Sequence, residues 1–373
     1  MKNFIPVNTP LLSGNEKTYV NECIDTGWIS SEGPFVRKFE NSFSSYIGMK
    51  AGIAVSSGSA ALDIAFKSLE LNPGDEVIAP TFTIISPVQS IINCGCKPVL
   101  IDCGINSFNM NVSEIERKIT SKTKAVLVVH IYGLPVNLDP VLSLCKKYNL
   151  KLIEDAAEVH GLDYKDKKCG SFGDISIFSF YPNKHITTGE GGMILSNDLK
   201  IEERCRKLRN LSFENTGRRF IHNELGWNYR MTNMQAAIGL AQLEKIEHHI
   251  SLKRKIGELY TNQLSSLKNF KIPLKENEYS KNIYWVFSIV ADSEINCEKA
   301  MKFLNEKGIG TRPFFWNMHE QPIFKKMGFF QNDSHPIAEN IARTGFYIPS
   351  GLGLSEDDIA YVCNCLIELD KSI

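Results

Sequence analysis

Lys184 is the residue of this chain best placed to act as a nucleophile. It follows an apolar run, Ile175–Phe180, that breaks at Tyr181-Pro182, and no acidic neighbour comes until Glu190. A lysine at the mouth of a buried strand can lose its proton to desolvation, which turns an amine into a Schiff-base nucleophile. Taken singly, an ordinary solvated loop lysine is the alternative. Asp155 ends another apolar run and precedes Ala156 and Ala157, so its carboxylate has little bulk in front of it. Such a group can pair with a ring nitrogen or a metal, or simply cap a helix. His160 is a further ligand type, but no second histidine lies at metal spacing, so no metal site is expected.

Two more groups invite a ligand. Ser56-Ser57-Gly58-Ser59-Ala60-Ala61 closes one apolar run and opens a helical pattern. Small residues at a helix start leave N–H groups free, and the helix dipole favours an anion there, although a plain Ser cap looks the same. Phe82 lies just past a further run, Glu76–Ala79. It is either a platform for a flat ring or a core aromatic.

The elements that must position these residues are short. Strand candidates are Gly52–Val55, Glu76–Ala79, Val99–Ile101, Ala125–Val129, Lys151–Glu154, Ile175–Phe180 and Met193–Leu195. Most are continuous apolar runs, as expected for strands buried on both faces. Helical patterns lie between them at Ser59–Leu71, Ile84–Asn93, Val112–Ile119 and Leu138–Tyr148, after two more at 14–25 and 35–47. The alternation predicts an α/β fold, a mainly parallel seven-stranded sheet flanked by helices, with ligands beyond the carboxyl ends of its strands. After residue 196 the texture changes. A charged helix at Asp198–Arg209 leads to a polar stretch, then to one long helix over Thr232–Leu264 with a weak point at Gly257, and then to a smaller α+β region. The expected division is a large domain, 1–248, and a small C-terminal domain, 249–373.

Composition narrows the class. Lys plus Arg equals Asp plus Glu at 42 each, so nothing suggests a nucleic-acid or membrane-surface partner. The 10 cysteines are scattered, with CxC pairs at Cys94/Cys96 and Cys363/Cys365 but no CxxC, which reads as reduced, buried thiols. No run approaches transmembrane length and the N-terminal apolar patch is too short for a signal segment, so a cytoplasmic protein is expected.

The anion cradle, the aromatic, the Asp and the lysine all fall at strand carboxyl ends. A ligand with a phosphate, a flat pyridine ring, a ring nitrogen and an aldehyde would use each of them, and pyridoxal 5'-phosphate fits. A nicotinamide site lacks GxGxxG, and a serine hydrolase lacks GxSxG. The motifs SSGSAALDIA (56–65), PGDEVIAPTFT (73–83), VVHIYGLP (128–135), IEDAAEVHG (153–161), GSFGDISIFSFYPNKHITTGEGGM (170–193) and GWNYRMTNMQAAIGLAQLE (226–244) occur in this order. Together they resemble the nucleotide-sugar aminotransferases of the DegT/DnrJ/StrS group, which are fold-type-I pyridoxal-phosphate enzymes.

The resemblance implies roles. Lys184 is the Schiff-base lysine and proton carrier, and Asp155 pairs with the pyridine nitrogen. Phe82 stacks on the ring, and Gly58, Ser59 and Ser179 hold the phosphate. Asn228 reaches the phosphate site of a neighbouring subunit, which implies a homodimer with shared active sites. Glu158, where the family often has Gln, and His160 lie near the ring. One branch replaces the lysine with His and dehydrates a GDP-sugar; Asn183-Lys184-His185 keeps the lysine, which favours transamination. The implied substrates are L-glutamate and a nucleotide-linked 4-keto-6-deoxy sugar. ITTGEGG, RMTNMQAAIGLAQLE and TRPFFWNMHEQP resemble the branch acting on GDP-4-keto-6-deoxymannose, with a dTDP-4-keto-6-deoxyglucose 4-aminotransferase as the alternative. The sugar pocket is expected from 311–319 and the irregular 212–230 stretch.

Overall fold

The structure is a computed structural model that describes residues 4–214, 218, 220–292 and 294–373. Its centre is a seven-stranded sheet of β1 (Ala51–Val55), β2 (Glu76–Pro80), β3 (Lys97–Ile101), β4 (Thr123–Val129), β5 (Lys151–Asp155), β6 (Ile175–Ser179) and β7 (Gly192–Ser196). The order across the sheet is β1-β7-β6-β5-β4-β2-β3, and only β7 runs against its neighbours. The other strands therefore end on one edge, the edge where β7 begins. The register aligns that edge, pairing Val55 and Ser179 with Gly192, and Val129 with Asp155.

Strand parity decides which side chains share a face. Val77, Ala79, Ala125, Leu127, Ile153, Ile175, Ile177 and Ile194 enter one core layer. Ile78, Val126, Val128, Leu152, Phe178, Met193 and Leu195 enter the layer on the opposite face. Asp155 and Ser179 follow the parity of the first set. The helix Gly58–Ser68 packs on this face against β6 and β7. Helices Glu16–Thr26, Pro34–Ile47 and Asn233–Leu243 pack on one another, and their buried side chains join the opposite layer.

The C-terminal region forms a four-stranded antiparallel sheet from Phe270–Lys271, Phe287–Ala291, Gly345–Ile348 and Arg312–Pro313, covered by the helices Cys297–Glu306 and Glu356–Ser372. The start of the chain belongs to this region, since Ile5 donates to Gly308 at 2.9 Å and accepts from Gly310 at 2.8 Å.

The long helix expected over Thr232–Leu264 is two helices, Asn233–Leu243 and Ile246–Gln263. Tertiary bonds override the continuous helical pattern. Gln242 donates to Leu11 O and Glu16, and Glu244 accepts from Asn15 and Tyr19, so the first helix is tied to the N-terminal segment. The second is tied elsewhere, to the loops carrying His185 and Trp285. Gly257 is no weak point; a Cβ there would lie 2.3 Å from the Tyr284 ring, so glycine permits that contact.

Candidate active site

The aligned strand edge builds a cradle first. Ser57 leaves β1 extended and accepts from the Ala60 N–H at 3.1 Å, which starts the helix Gly58–Ser68. The Gly58 and Ser59 N–H groups are among those a helix leaves without an intrahelical acceptor. The helix start is pressed against two strands. A Cβ on Gly58 would lie 2.8 Å from Ser179 Cβ, and one on Gly192 would lie 2.4 Å from Ser57 O. Ser59 Oγ and Ser86 Oγ are 2.7 Å apart. Gly58, Ser59 and Ser179 are thus brought together, although 121 positions separate the first from the last.

Beside the cradle lie the ionisable groups. Asp155 is buried, and its Oδ1 accepts one hydrogen bond, from the Ala157 N–H at 3.1 Å. Burial pushes its carboxyl up to about 6, against the pull of that N–H and of Lys184. Lys184 follows a turn in which its N–H donates to Tyr181 O, and its side chain is only 10% exposed. Burial lowers the ammonium's pKa, and Glu158 and Asp155 offset part of that. Glu158 Oε1 stands 3.9 Å from Lys184 Nζ, too far for a hydrogen bond, while Oε2 accepts from the Tyr132 N–H at 2.9 Å. Burial raises Glu158 to about 7. His160 is buried among Phe43, Phe178, Phe180 and His185. Neither of its ring nitrogens makes a well-formed hydrogen bond, though the Ser179 backbone is in reach, and burial lowers it to about 3.

Phe82 is fully buried, its ring within 5.9–6.4 Å of Tyr132, Phe314, Phe315 and Phe108. Asn228 is exposed on a segment that bridges to Asn210, its Oδ1 accepting from Arg230. Ala156 and Ala157, the two small residues after Asp155, divide between the two faces of the sheet, Ala156 entering the opposite core layer. Within 311–319, Met318 N–H donates to Thr81 O and Thr81 Oγ1 lies 2.7 Å from His319 Nδ1, which fixes this segment to the end of β2. Of the 212–230 stretch, residues 215–217 and 219 lie outside the described residues.

A sequence profile of the DegT/DnrJ/EryC1/StrS aminotransferase family matches residues 10–367. The chain belongs to this family. It is an aminotransferase of the pyridoxal-phosphate-dependent kind. It is 42% identical over 369 residues to GDP-perosamine synthase of Escherichia coli O157:H7, covering 98% of each chain. It is 40% identical over 367 residues to GDP-perosamine synthase of Vibrio cholerae, covering 97% of this chain and 98% of the other. Among solved structures, Helicobacter pylori PseC, an aminotransferase involved in the biosynthesis of pseudoaminic acid, superposes with a TM-score of 0.93 over 100% of both chains. At 22% identity that likeness concerns the fold.

Two residues near Lys184 escape a reading of the sequence. Trp285 places its ring centroid 4.0 Å from Lys184 Nζ, and its Nε1–H donates to Asn183 O at 2.8 Å. Its local pattern, an aromatic in the apolar run Ile283–Val290, gives no sign of that contact. Tyr132 adopts a φ of 57° and presents its N–H to Glu158. The one sign of it is the glycine that follows, in His130-Ile131-Tyr132-Gly133.

Proposed function

We propose that the chain transfers an amino group from L-glutamate to the C4 ketone of GDP-4-keto-6-deoxymannose, using pyridoxal 5'-phosphate. The observation that carries the reaction type is the Lys184 amine, 10% exposed, with the nearest Glu158 oxygen at 3.9 Å, beside two carboxylates whose pKa values burial raises. The identity to two GDP-perosamine synthases over nearly the full length supports the sugar.

The residues fit the cofactor. Gly58 and Gly192 lie too close to Ser179 and Ser57 for any Cβ, and this close packing sets the helix start, with its free N–H groups, at the strand edge where a phosphate could accept from them. Gly58, Ser59 and Ser179 would hold that phosphate, Asp155 the ring nitrogen, and Phe82 the ring face, with Glu158 and His160 beside the ring. Bound there, the cofactor supplies the electron sink for moving the amino group. This chain's residues do the rest. Asp155 keeps a charge next to the ring nitrogen, in a site dry enough to make that charge count. Lys184, its pKa lowered by burial, gives up its proton more readily than a solvated lysine and can return it to a neighbouring carbon. The apolar rings of Phe82, Tyr132, Phe314 and Phe315 exclude water from the same pocket.

The reading extends to a homodimer in which Asn228 completes the partner's phosphate site, to a division near residue 248, and to a cytoplasmic location. No helix among the described residues is long and apolar enough to cross a membrane. The retained lysine favours transamination over dehydration. Incubating the protein with pyridoxal phosphate, glutamate and each 4-keto sugar nucleotide tests the proposal. One 2-oxoglutarate per GDP-linked 4-amino sugar is expected. Turnover of the dTDP sugar alone would move the assignment to that substrate, and a deoxy-keto product without 2-oxoglutarate would make the protein a lyase.

A further inference from the structure

Lys253 is a second buried lysine, only 3% exposed, and the proposed reaction gives it no role. It donates to Trp285 O at 2.9 Å, to Ser350 O at 2.6 Å and to Ser350 Oγ at 3.4 Å. Among the described residues no carboxylate pairs with it, and burial alone lowers it to about 7. A buried ammonium without a counter-ion is expensive, and a methionine would fill similar volume without that cost. What only the lysine supplies is a set of donors for main-chain carbonyls.

Those carbonyls belong to a lacing around Lys184. One turn earlier on the same helix face, His249 Nδ1 is 2.9 Å from His185 O. His185 Nε2 in turn is 3.3 Å from Ile283 O, and Trp285 Nε1–H donates to Asn183 O at 2.8 Å. The loop 183–185 and the segment 283–285 are thus tied to each other in both directions. The helix Ile246–Gln263 holds one of them through His249 and the other through Lys253. The indole between them carries the amine of Lys184 on its face, 4.0 Å from the centroid.

We propose that this lacing presets the reactive amine: Trp285 is the surface on which Lys184 rests, and Lys253 and His249 are positioning residues that act through it. The proposal rests on Lys184 being the reacting amine. It predicts that the ionisation of Lys184 depends on a residue of another segment that never touches it.

The test uses the full chain without added cofactor. Competitive acetylation across pH, with peptide mapping, gives the midpoint at which Lys184 loses its proton, and 5-fluorotryptophan labelling gives a ¹⁹F resonance for each of the four tryptophans. Trp285→Leu keeps the site apolar and removes the π face, so the midpoint falls, by about one pH unit. Trp285→Phe keeps a ring, loses the donor to Asn183 and falls less; its missing resonance identifies Trp285. Lys253→Met broadens or splits that resonance and also lowers the midpoint. Loss of a nearby cation alone would raise it, so the fall is specific to the lacing. An unchanged or raised midpoint in Lys253→Met, with a sharp Trp285 line, overturns the proposal. Should that variant not fold, equal midpoints in wild type, Trp285→Phe and Trp285→Leu overturn it instead. Pyridoxal phosphate fixed by borohydride on another lysine would defeat the functional reading separately, since the acetylation order is measured without the cofactor.

Discussion

Glu154 and Asp155 are consecutive residues of β5 and face opposite sides of the sheet. Both are buried, yet their surroundings differ in kind. The Glu154 carboxylate accepts from His130 Nε2, from the N–H groups of Gly170, Phe172 and Gly173, and from Ser176 Oγ. Burial alone would raise it, but His130 and those N–H groups outweigh burial and hold it low. His130 Nδ1 accepts from the Val136 N–H, which leaves the proton on Nε2, facing Glu154. Cys169 lies near enough to make this trio resemble a metal site, but the lone pairs of Glu154 and His130 are already used. Asp155 has one donor and is pushed up to about 6. A saturated carboxylate locks a fold, whereas an under-satisfied one, next to an under-satisfied lysine, keeps bonding capacity for a ligand.

Variants on the two sides should separate accordingly. Lys184→Ala on the under-satisfied side should cut turnover by about 10³-fold or more with the fold retained, as product assays and a melting curve would report. Glu154→Gln places an amide against backbone N–H donors. It should cost about 3–5 kcal/mol in denaturant unfolding and leave turnover per folded molecule little changed. A large loss of turnover there, at unchanged stability, would erase the distinction.

Asp155→Asn should do the reverse to the cofactor-free protein. The wild-type carboxyl rises from 3.8 to about 6 on folding, so the unfolded chain gives up its proton first and stability falls as pH climbs from about 4 to about 6. Removing the charge should raise stability at pH 7 by up to about 3 kcal/mol, with no gain at pH 3, while cofactor affinity drops. The smallest effect is expected at the cradle. Gly58→Ala should cost about 1–3 kcal/mol through the contact with Ser179, and bound pyridoxal phosphate should then be displaced more readily by inorganic phosphate.

The contrast also marks what a sequence can disclose. The seven strands are readable to within two residues because each is a short apolar run bounded by turn residues, and the parallel direction of all but β7 follows from the alternation with helices. Gly58, Asp155, Ser179 and Lys184 are readable because the carboxyl edge of such a sheet is where ligands bind. The saturation of Glu154 is not, since its donors come from the turn after β4, from β6 and from the loop before β6. Nor is Trp285 beside Lys184, a contact across 101 positions between segments whose local patterns carry no trace of each other. The break at Glu244-Lys245 is hidden for the same reason: helical periodicity runs through it, and only bonds to Leu11, Asn15, Glu16 and Tyr19 interrupt it.

The central claim is that Lys184, and not some other lysine, is the reactive amine. Lys253 is the natural competitor, being more deeply buried and lowered to about 7. Borohydride reduction of the protein mixed with pyridoxal phosphate, followed by peptide mapping, decides between them. A single pyridoxyl label is expected on Lys184, lost in Lys184→Ala and retained in Lys253→Met. A label on Lys253, or one spread over surface lysines, would contradict it.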